Sequence, residues 1–292
     1  MILLKLFLIE LGIQVEYLNT MFLENFNYSV LGTNENDRVV FVHGLMAFSA
    51  NWRKIALRLE SDFQCLIYDQ RGHGRSFKPD NGYSPEIFAE DLDKITTELG
   101  WNRFHLVGHS MGGRNVMVFA NKYPEKVRTL TIEDMGPDAK TNAAVYYRNM
   151  LEVIPTPFKN KDEIKEFFSH RFFEVFKSNE PSTVLATFLQ ANLEEKSDGQ
   201  YDWRFLKKAV YEIVEEGHKK DRWLEVASFK MPVLLVRGEF SHVLDVKTYQ
   251  KMLGVNPQIT GVEIKGAGHW VHYEKYEEFV LELRKFIALH NT

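Results

Sequence analysis

The run Phe104-His105-Leu106-Val107-Gly108-His109-Ser110-Met111-Gly112-Gly113 constrains the fold more than any other stretch of the chain. An apolar run leads into Gly-x-Ser-x-Gly. This pattern predicts a strand, a sharp turn with serine at its apex, and a helix. A serine on so tight a turn has strained backbone angles and crowds its neighbours. Gly108 and Gly112 carry no Cβ, so strand and helix can close around it. The hydroxyl then stands exposed at the top of a sheet with a helix N-terminus beneath it, as a nucleophile requires.

The surrounding pattern predicts the rest of such a sheet. Phe26–Gly32 alternates and is followed by a polar turn from Thr33 to Asp37. Val39-Val40-Phe41-Val42, Leu66-Ile67-Tyr68, Thr129-Leu130-Thr131-Ile132 and Val233-Leu234-Leu235-Val236 are short continuous apolar runs, as expected of strands buried on both faces. Gly261-Val262-Glu263-Ile264 is a last strand. From Pro85 to Leu99 the apolar residues Ile87, Phe88, Leu92, Ile95 and Leu99 form a helical stripe, with Ser84 as N-cap and Pro85 at the first helical position. Strands alternating with helices imply an α/β fold with a mainly parallel sheet and right-handed crossovers.

The alternation breaks between Asp138 and about Glu225. Buried strands are not expected there. Ile164, Phe167, Phe168, Phe172 and Val175 form a helical stripe, aromatics are dense, and Pro155, Pro157 and Pro181 punctuate the segment. We expect an inserted helical cap over 138–225 and a core made of 21–137 and 226–292. The cap aromatics are expected mostly to pack on one another, with some lining an apolar pocket. Residues 1–20 are a separate unit. Lys5 and Glu10 interrupt the apolar run, and neither a basic region nor an Ala-x-Ala-like cleavage site accompanies it, so a helix or an extension upstream of Met21 is favoured over a signal peptide. The run is too short and too charged for an integral membrane span.

A net charge of −4 and the lack of a basic cluster interleaved with aromatics give no reason to expect nucleic acid. The single cysteine, Cys65, lies in an apolar strand pattern and fits a reducing compartment. A cytoplasmic location is expected.

A serine hydroxyl is a weak nucleophile and needs a base, which in turn needs an orienting group. His269, in the glycine-rich loop Gly266-Ala267-Gly268-His269-Trp270 after the last strand, is the candidate base. His43 and His73 sit in glycine-rich loops and read as structural, and His242 and His272 as loop or helix-start positions. The acid has two possible sources. Asp134 stands at the C-terminal end of the strand Thr129–Ile132, while Glu239 and Asp245 follow Val233–Val236. Asp134 is favoured and the other two remain alternatives. An oxyanion hole needs backbone N–H donors. Met111, after the serine, and Leu45, in His43-Gly44-Leu45-Met46, are the expected pair. Met46, His109 and Trp270 are expected to contact substrate.

Together these motifs resemble the α/β-hydrolase superfamily. The resemblance runs from His43-Gly44 through Asp69-Gln70-Arg71-Gly72-His73-Gly74 and Gly108–Gly113 to Gly266-Ala267-Gly268-His269-Trp270-Val271-His272. Within it the chain is similar to small bacterial carboxylesterases related to abhydrolase-domain-containing protein 11, which share the Gly-Ala-Gly-His-Trp-Val-His loop. Ser241 stands where many members carry the acid; the subgroup carries it after the strand that follows the elbow helix, which implies Asp134. This chain departs locally, with Glu133 where relatives often have a hydrophobic or small residue. The resemblance implies hydrolysis of a small-molecule carboxylic ester or thioester through an acyl-enzyme on a Ser-His-Asp triad, without cofactor; no metal is expected. Oligomeric state is left open.

Other readings remain on the same fold. One is a C–C bond hydrolase or a lyase of the menaquinone-pathway type, since Ser-Met-Gly-Gly-Arg, ending at Arg114, resembles that family, where an arginine binds a carboxylate. Arg114 reads equally as a helix-surface residue. Another is a slow-turnover receptor. A haloalkane dehalogenase needs a carboxylate nucleophile, which Ser110 excludes.

Overall fold

The computed structural model describes residues 22–33, 37–140, 142–176 and 182–290. The segment 1–20 lies outside the described residues. The first half runs β1 (Tyr28–Leu31), β2 (Arg38–Val42), α1 (Ala50–Leu59), β3 (Gln64–Tyr68), α2 (Pro85–Glu98), β4 (Phe104–His109), α3 (Met111–Lys122) and β5 (Val127–Glu133). An insertion follows: α4 (Ala143–Glu152), α5 (Lys161–Glu166), a π-helical turn over Phe167–Arg171, α6 (Phe172–Val175), α7 (Ser182–Ala191), β6 (Leu193–Glu195), β7 (Tyr201–Trp203), α8 (Lys207–Gly217) and α9 (Trp223–Ala227). The chain returns through β8 (Val233–Gly238), α10 (Val246–Val255), β9 (Ile259–Ile264), α11 (Val271–Glu274) and α12 (Tyr276–Leu289).

Seven strands form one sheet in the order β1-β3-β2-β4-β5-β8-β9. Only β1 pairs antiparallel; the other pairings are parallel. Strand alternation divides β2 between two cores. Val39 and Phe41 face α1 and α12, packing with Trp52, Ile55 and Phe279. Val40 and Val42 face α2 and α3, packing with Leu92, Ile95 and Phe119. Cys65 is a free, buried thiol in β3, its acidity pushed to about 12 by desolvation. The helix expected from the Pro85–Leu99 stripe forms, and the Ser84 side chain caps it by accepting from the Ile87 N–H.

The insertion shares a third core with residues at the ends of the strands. Phe158, Phe167, Phe168, Phe172 and Phe176 pack ring against ring, as expected of cap aromatics. Leu45, Met46 and Met111 belong to the same cluster. Two sequence expectations need correction. Val175 is 44 % exposed and leaves the buried stripe, whose turn widens into a π-helix so that Phe167, Phe168 and Phe172 all face inward. The segment also contains a hairpin, β6 paired with β7, that buries Leu193 and Trp203. Val226 and Phe229 already belong to the core beneath the sheet. No helix among the described residues is long and apolar enough to cross a membrane.

Candidate active site

Ser110 lies between β4 and α3 with φ 54° and ψ −121°, a conformation that L-residues rarely adopt. The close approach that demands glycine is measurable. A Cβ on Gly108 would stand 2.5 Å from the Gly112 carbonyl oxygen, and one on Gly112 would stand 2.3 Å from that of Val42. The Ser110 N–H donates to the Glu133 carbonyl at 3.0 Å, which ties the turn to the end of β5.

The structure brings Ser110, His269 and Asp134 together across the C-terminal ends of β4, β5 and β9. Ser110 Oγ lies 2.9 Å from His269 Nε2, and His269 Nδ1 lies 2.7 Å from Asp134 Oδ2. A carboxylate can only accept, so Nδ1 carries the proton and Nε2 is left to accept from the hydroxyl. Asp134 has no exposed surface, and Ser110 and His269 are nearly buried. Beyond the histidine, Asp134 Oδ1 accepts from the Gly238 N–H at 3.1 Å, and Oδ2 accepts from the Ser241 hydroxyl. Ser241 is therefore a partner of Asp134, a role that sequence reasoning missed. Its place after β8 was the available signal: a hydroxyl there can still donate to a carboxylate arriving from β5.

The alternative acids are occupied elsewhere. Glu239 accepts from the Gly266 N–H at 2.9 Å and from Lys265 at 3.0 Å. Asp245 caps α10, accepting from the Thr248 N–H at 2.8 Å.

The loop after β2 is fixed by the two histidines read as structural. His43 Nε2 accepts from the Gln70 N–H at 2.9 Å, and His73 Nε2 accepts from the Met46 N–H at 3.2 Å. Burial holds His43 below the ordinary imidazole range and His73 at about 3, so both stay neutral and keep an acceptor nitrogen. Met46, at φ 61°, thus spends its N–H on His73. The N–H groups of Leu45 and Met111 donate to no group among the described residues and remain available beside Ser110.

Two lobes of space, each continuous with open solvent, border Ser110 and share Leu45 and Tyr147 in their walls. One, of about 590 Å³, is lined by His109, His269 and Trp270 from the core and by Tyr147, Met150 and Phe188 from the insertion. Met46 lines it too. The other, of about 400 Å³, is bordered by Leu45, Tyr83, Met111, Arg114, Ile213 and His218. Arg114 is only 3 % exposed, which corrects its helix-surface reading; it donates to the carbonyls of Gly136 at 3.1 Å and Asp138 at 2.8 Å. Desolvation lowers its guanidinium to about 10, so it remains a cation. Desolvation and the Arg114 charge lower His218 to about 4.

His109 bonds to the backbone of His269, its Nε2 lying 2.9 Å from the carbonyl oxygen. Desolvation and the neighbouring histidines hold it well below the ordinary imidazole range. One nitrogen of each of His109 and His272 and an oxygen of Glu133 lie within 4.8 Å of one another, a spacing within reach of a metal ion. In this structure the carboxylate is engaged by His272 instead.

The alpha/beta hydrolase fold profile matches residues 37–276. The chain is 26 % identical over 249 residues to 2-(acetamidomethylene)succinate hydrolase of Mesorhizobium japonicum, covering 85 % of this chain and 87 % of the relative. It is 28 % identical over 276 residues to sn-1-specific diacylglycerol lipase ABHD11 of Danio rerio, covering 90 % and 82 %. A solved marine microorganism esterase superposes with a TM-score of 0.76 at 27 % identity, over 89 % of this chain and 98 % of that one.

Proposed function

Because the chain belongs to the alpha/beta hydrolase fold family, we propose that it is a serine hydrolase of small-molecule carboxylic esters or thioesters, working through an acyl-enzyme. The observation that carries this reading is the relay from Ser110 Oγ to His269 Nε2 at 2.9 Å and from His269 Nδ1 to Asp134 at 2.7 Å, set against open space. Ser110 Oγ attacks the substrate carbonyl while its proton passes to His269 Nε2. Asp134 holds the imidazole in the required tautomer and stabilises the imidazolium. The Leu45 and Met111 N–H groups receive the oxyanion. His269 then gives its proton to the departing alkoxide or thiolate. Water enters by the same base catalysis, releases the acid and restores Ser110. In this reading residues 138–225 form a cap whose Tyr147, Met150 and Phe188 line the acyl site, and Met46, His109 and Trp270 complete its wall. A cytoplasmic location belongs to the same reading, supported by the single reduced thiol of Cys65.

The test is a panel of p-nitrophenyl esters and acyl thioesters of increasing chain length, run beside labelling by a fluorophosphonate. Wild type is expected to hydrolyse members of both sets and to take up one label. Ser110→Ala is expected to do neither, and full ester hydrolysis by that variant overturns the proposal.

A second reading draws on Arg114, a buried cation bordering the lobe next to Ser110. It is C–C hydrolysis or elimination on a carboxylate-bearing substrate. Carboxylated esters added to the panel separate the two. A strong preference for them that Arg114→Met removes favours the second reading.

A further inference from the structure

Beneath Asp134 and His269 lies a second carboxylate–imidazole pair that the proposed chemistry does not use. Glu133 has no exposed surface. Its carboxylate accepts from the backbone N–H of His272 at 2.9 Å, and both its oxygens lie 2.9 Å from the His272 ring Nδ1. Trp52 stacks on that ring, with centroids 4.2 Å apart and planes 26° from parallel. A buried carboxylate is tolerated only when its oxygens are met in this way.

The main chain of Glu133 does something different. Its carbonyl accepts the Ser110 N–H at 3.0 Å. One residue thus grips the turn that presents Ser110 through its backbone and, through its side chain, the start of α11, which follows the loop that presents His269. His109 closes the frame. It stands opposite Glu133 in the register of β4 on β5, and its Nε2 meets the His269 carbonyl.

The loop is held within its own segment, where the Gly268 and Trp270 N–H groups donate to Glu274 at 3.1 and 3.2 Å, and Glu133 ties that segment to the end of β5. The loop begins at Gly266, in a left-handed conformation at φ 68°, and Gly268 immediately precedes His269. Glycines leave a backbone many conformations. Asp134 fixes one nitrogen of the His269 ring but not the backbone that carries it. A misplacement of about 1 Å at a reacting group costs about a hundredfold in rate.

We propose that Glu133 is a positioning residue, which sets His269 over Ser110 by anchoring His272, in the first turn of α11 directly after the His269 loop. This rests on the serine-hydrolase reading above. The variants are Glu133→Gln, which keeps an acceptor for both His272 donors, and Glu133→Leu, which removes it. Active sites are counted by fluorophosphonate labelling, and kcat per labelled site and KM are measured on one p-nitrophenyl ester. Glu133→Leu is expected to lose about a hundredfold in kcat per labelled site with KM within about twofold, and Glu133→Gln to recover most of the loss. A kcat per labelled site within about twofold of wild type in Glu133→Leu overturns the proposal. Should that variant fail to fold, His272→Asn and His272→Phe ask the same question from the other partner, because asparagine keeps a side-chain N–H near the position of Nδ1. A readout independent of turnover separates this proposal from the hydrolase reading: the low-field proton resonance of His269 Nδ1–H. Its loss in Glu133→Leu and retention in Glu133→Gln support positioning even if wild type cleaves no ester. An unchanged signal in both variants counts against it.

Discussion

Asp134 sits at φ 52°, a left-handed conformation that aspartate tolerates better than most side chains. That turn lets its side chain meet His269, Gly238 and Ser241 together while its N–H still donates to the Val236 carbonyl of β8 at 2.8 Å. Asp134→Asn preserves the shape but presents an amide where an acceptor is needed. The expected result is a loss of kcat of about 10⁴-fold with KM little changed, read from ester hydrolysis per labelled site. Ser241→Ala leaves a buried carboxylate one donor short and is expected to lower stability by about 1.5–3 kcal/mol in urea unfolding. Ser110 and His269 could be read from the sequence because each carries its own local signature, a glycine-flanked turn and a glycine-rich loop. The partnership of Ser241 with Asp134 spans 107 residues and that of Glu133 with His272 spans 139. No local pattern encodes contacts of that kind; only the strand order brings them together.

At the scale of elements, the same logic separates glycines that matter from those that do not. Gly112, in the first turn of α3, faces two backbone oxygens: a Cβ there would stand 2.3 Å from that of Val42 and 2.6 Å from that of His43. Neither can retreat without moving β2, so Gly112→Ala is expected to destabilise by about 3 kcal/mol, the upper end of overpacking costs. A Cβ on Gly254, in α10, would have nothing within 4 Å. Gly254→Ala is therefore expected to stabilise by about 0.5–1 kcal/mol through helix propensity. Urea midpoints of the two variants should move in opposite directions. The core strands were legible because strands buried on both faces leave continuous apolar runs. The hairpin of β6 and β7 was not, since three-residue strands are shorter than any periodic signal. The helical stripe around Phe167 was visible, but its π turn follows from tertiary packing of three phenylalanines.

For the whole molecule, buried neutral histidines make acid the weak side. His43, His73, His105 and His109 are all nearly or fully buried, and desolvation lowers each of them, to about 3 for His73 and about 4 for His105. Above about pH 6.5 neither the folded nor the unfolded chain protonates them, and they contribute nothing. Below it the unfolded chain takes up protons that the folded chain refuses, so stability falls toward the folded-state values. Each such group removes up to about 1.4 kcal/mol per pH unit in that window. The melting temperature should drop steeply from about pH 7 to about pH 5, and a flat profile there would contradict the burial of these rings. The wide spacing of the proposed nucleophile and base has a consequence for synthesis. Ser110 precedes His269 by 159 residues, and ribosomes add about 5–20 residues per second. For roughly ten to thirty seconds a nascent chain holds its serine without the proposed base, so under the proposed mechanism acylation would await the docking of the final strand and its loop.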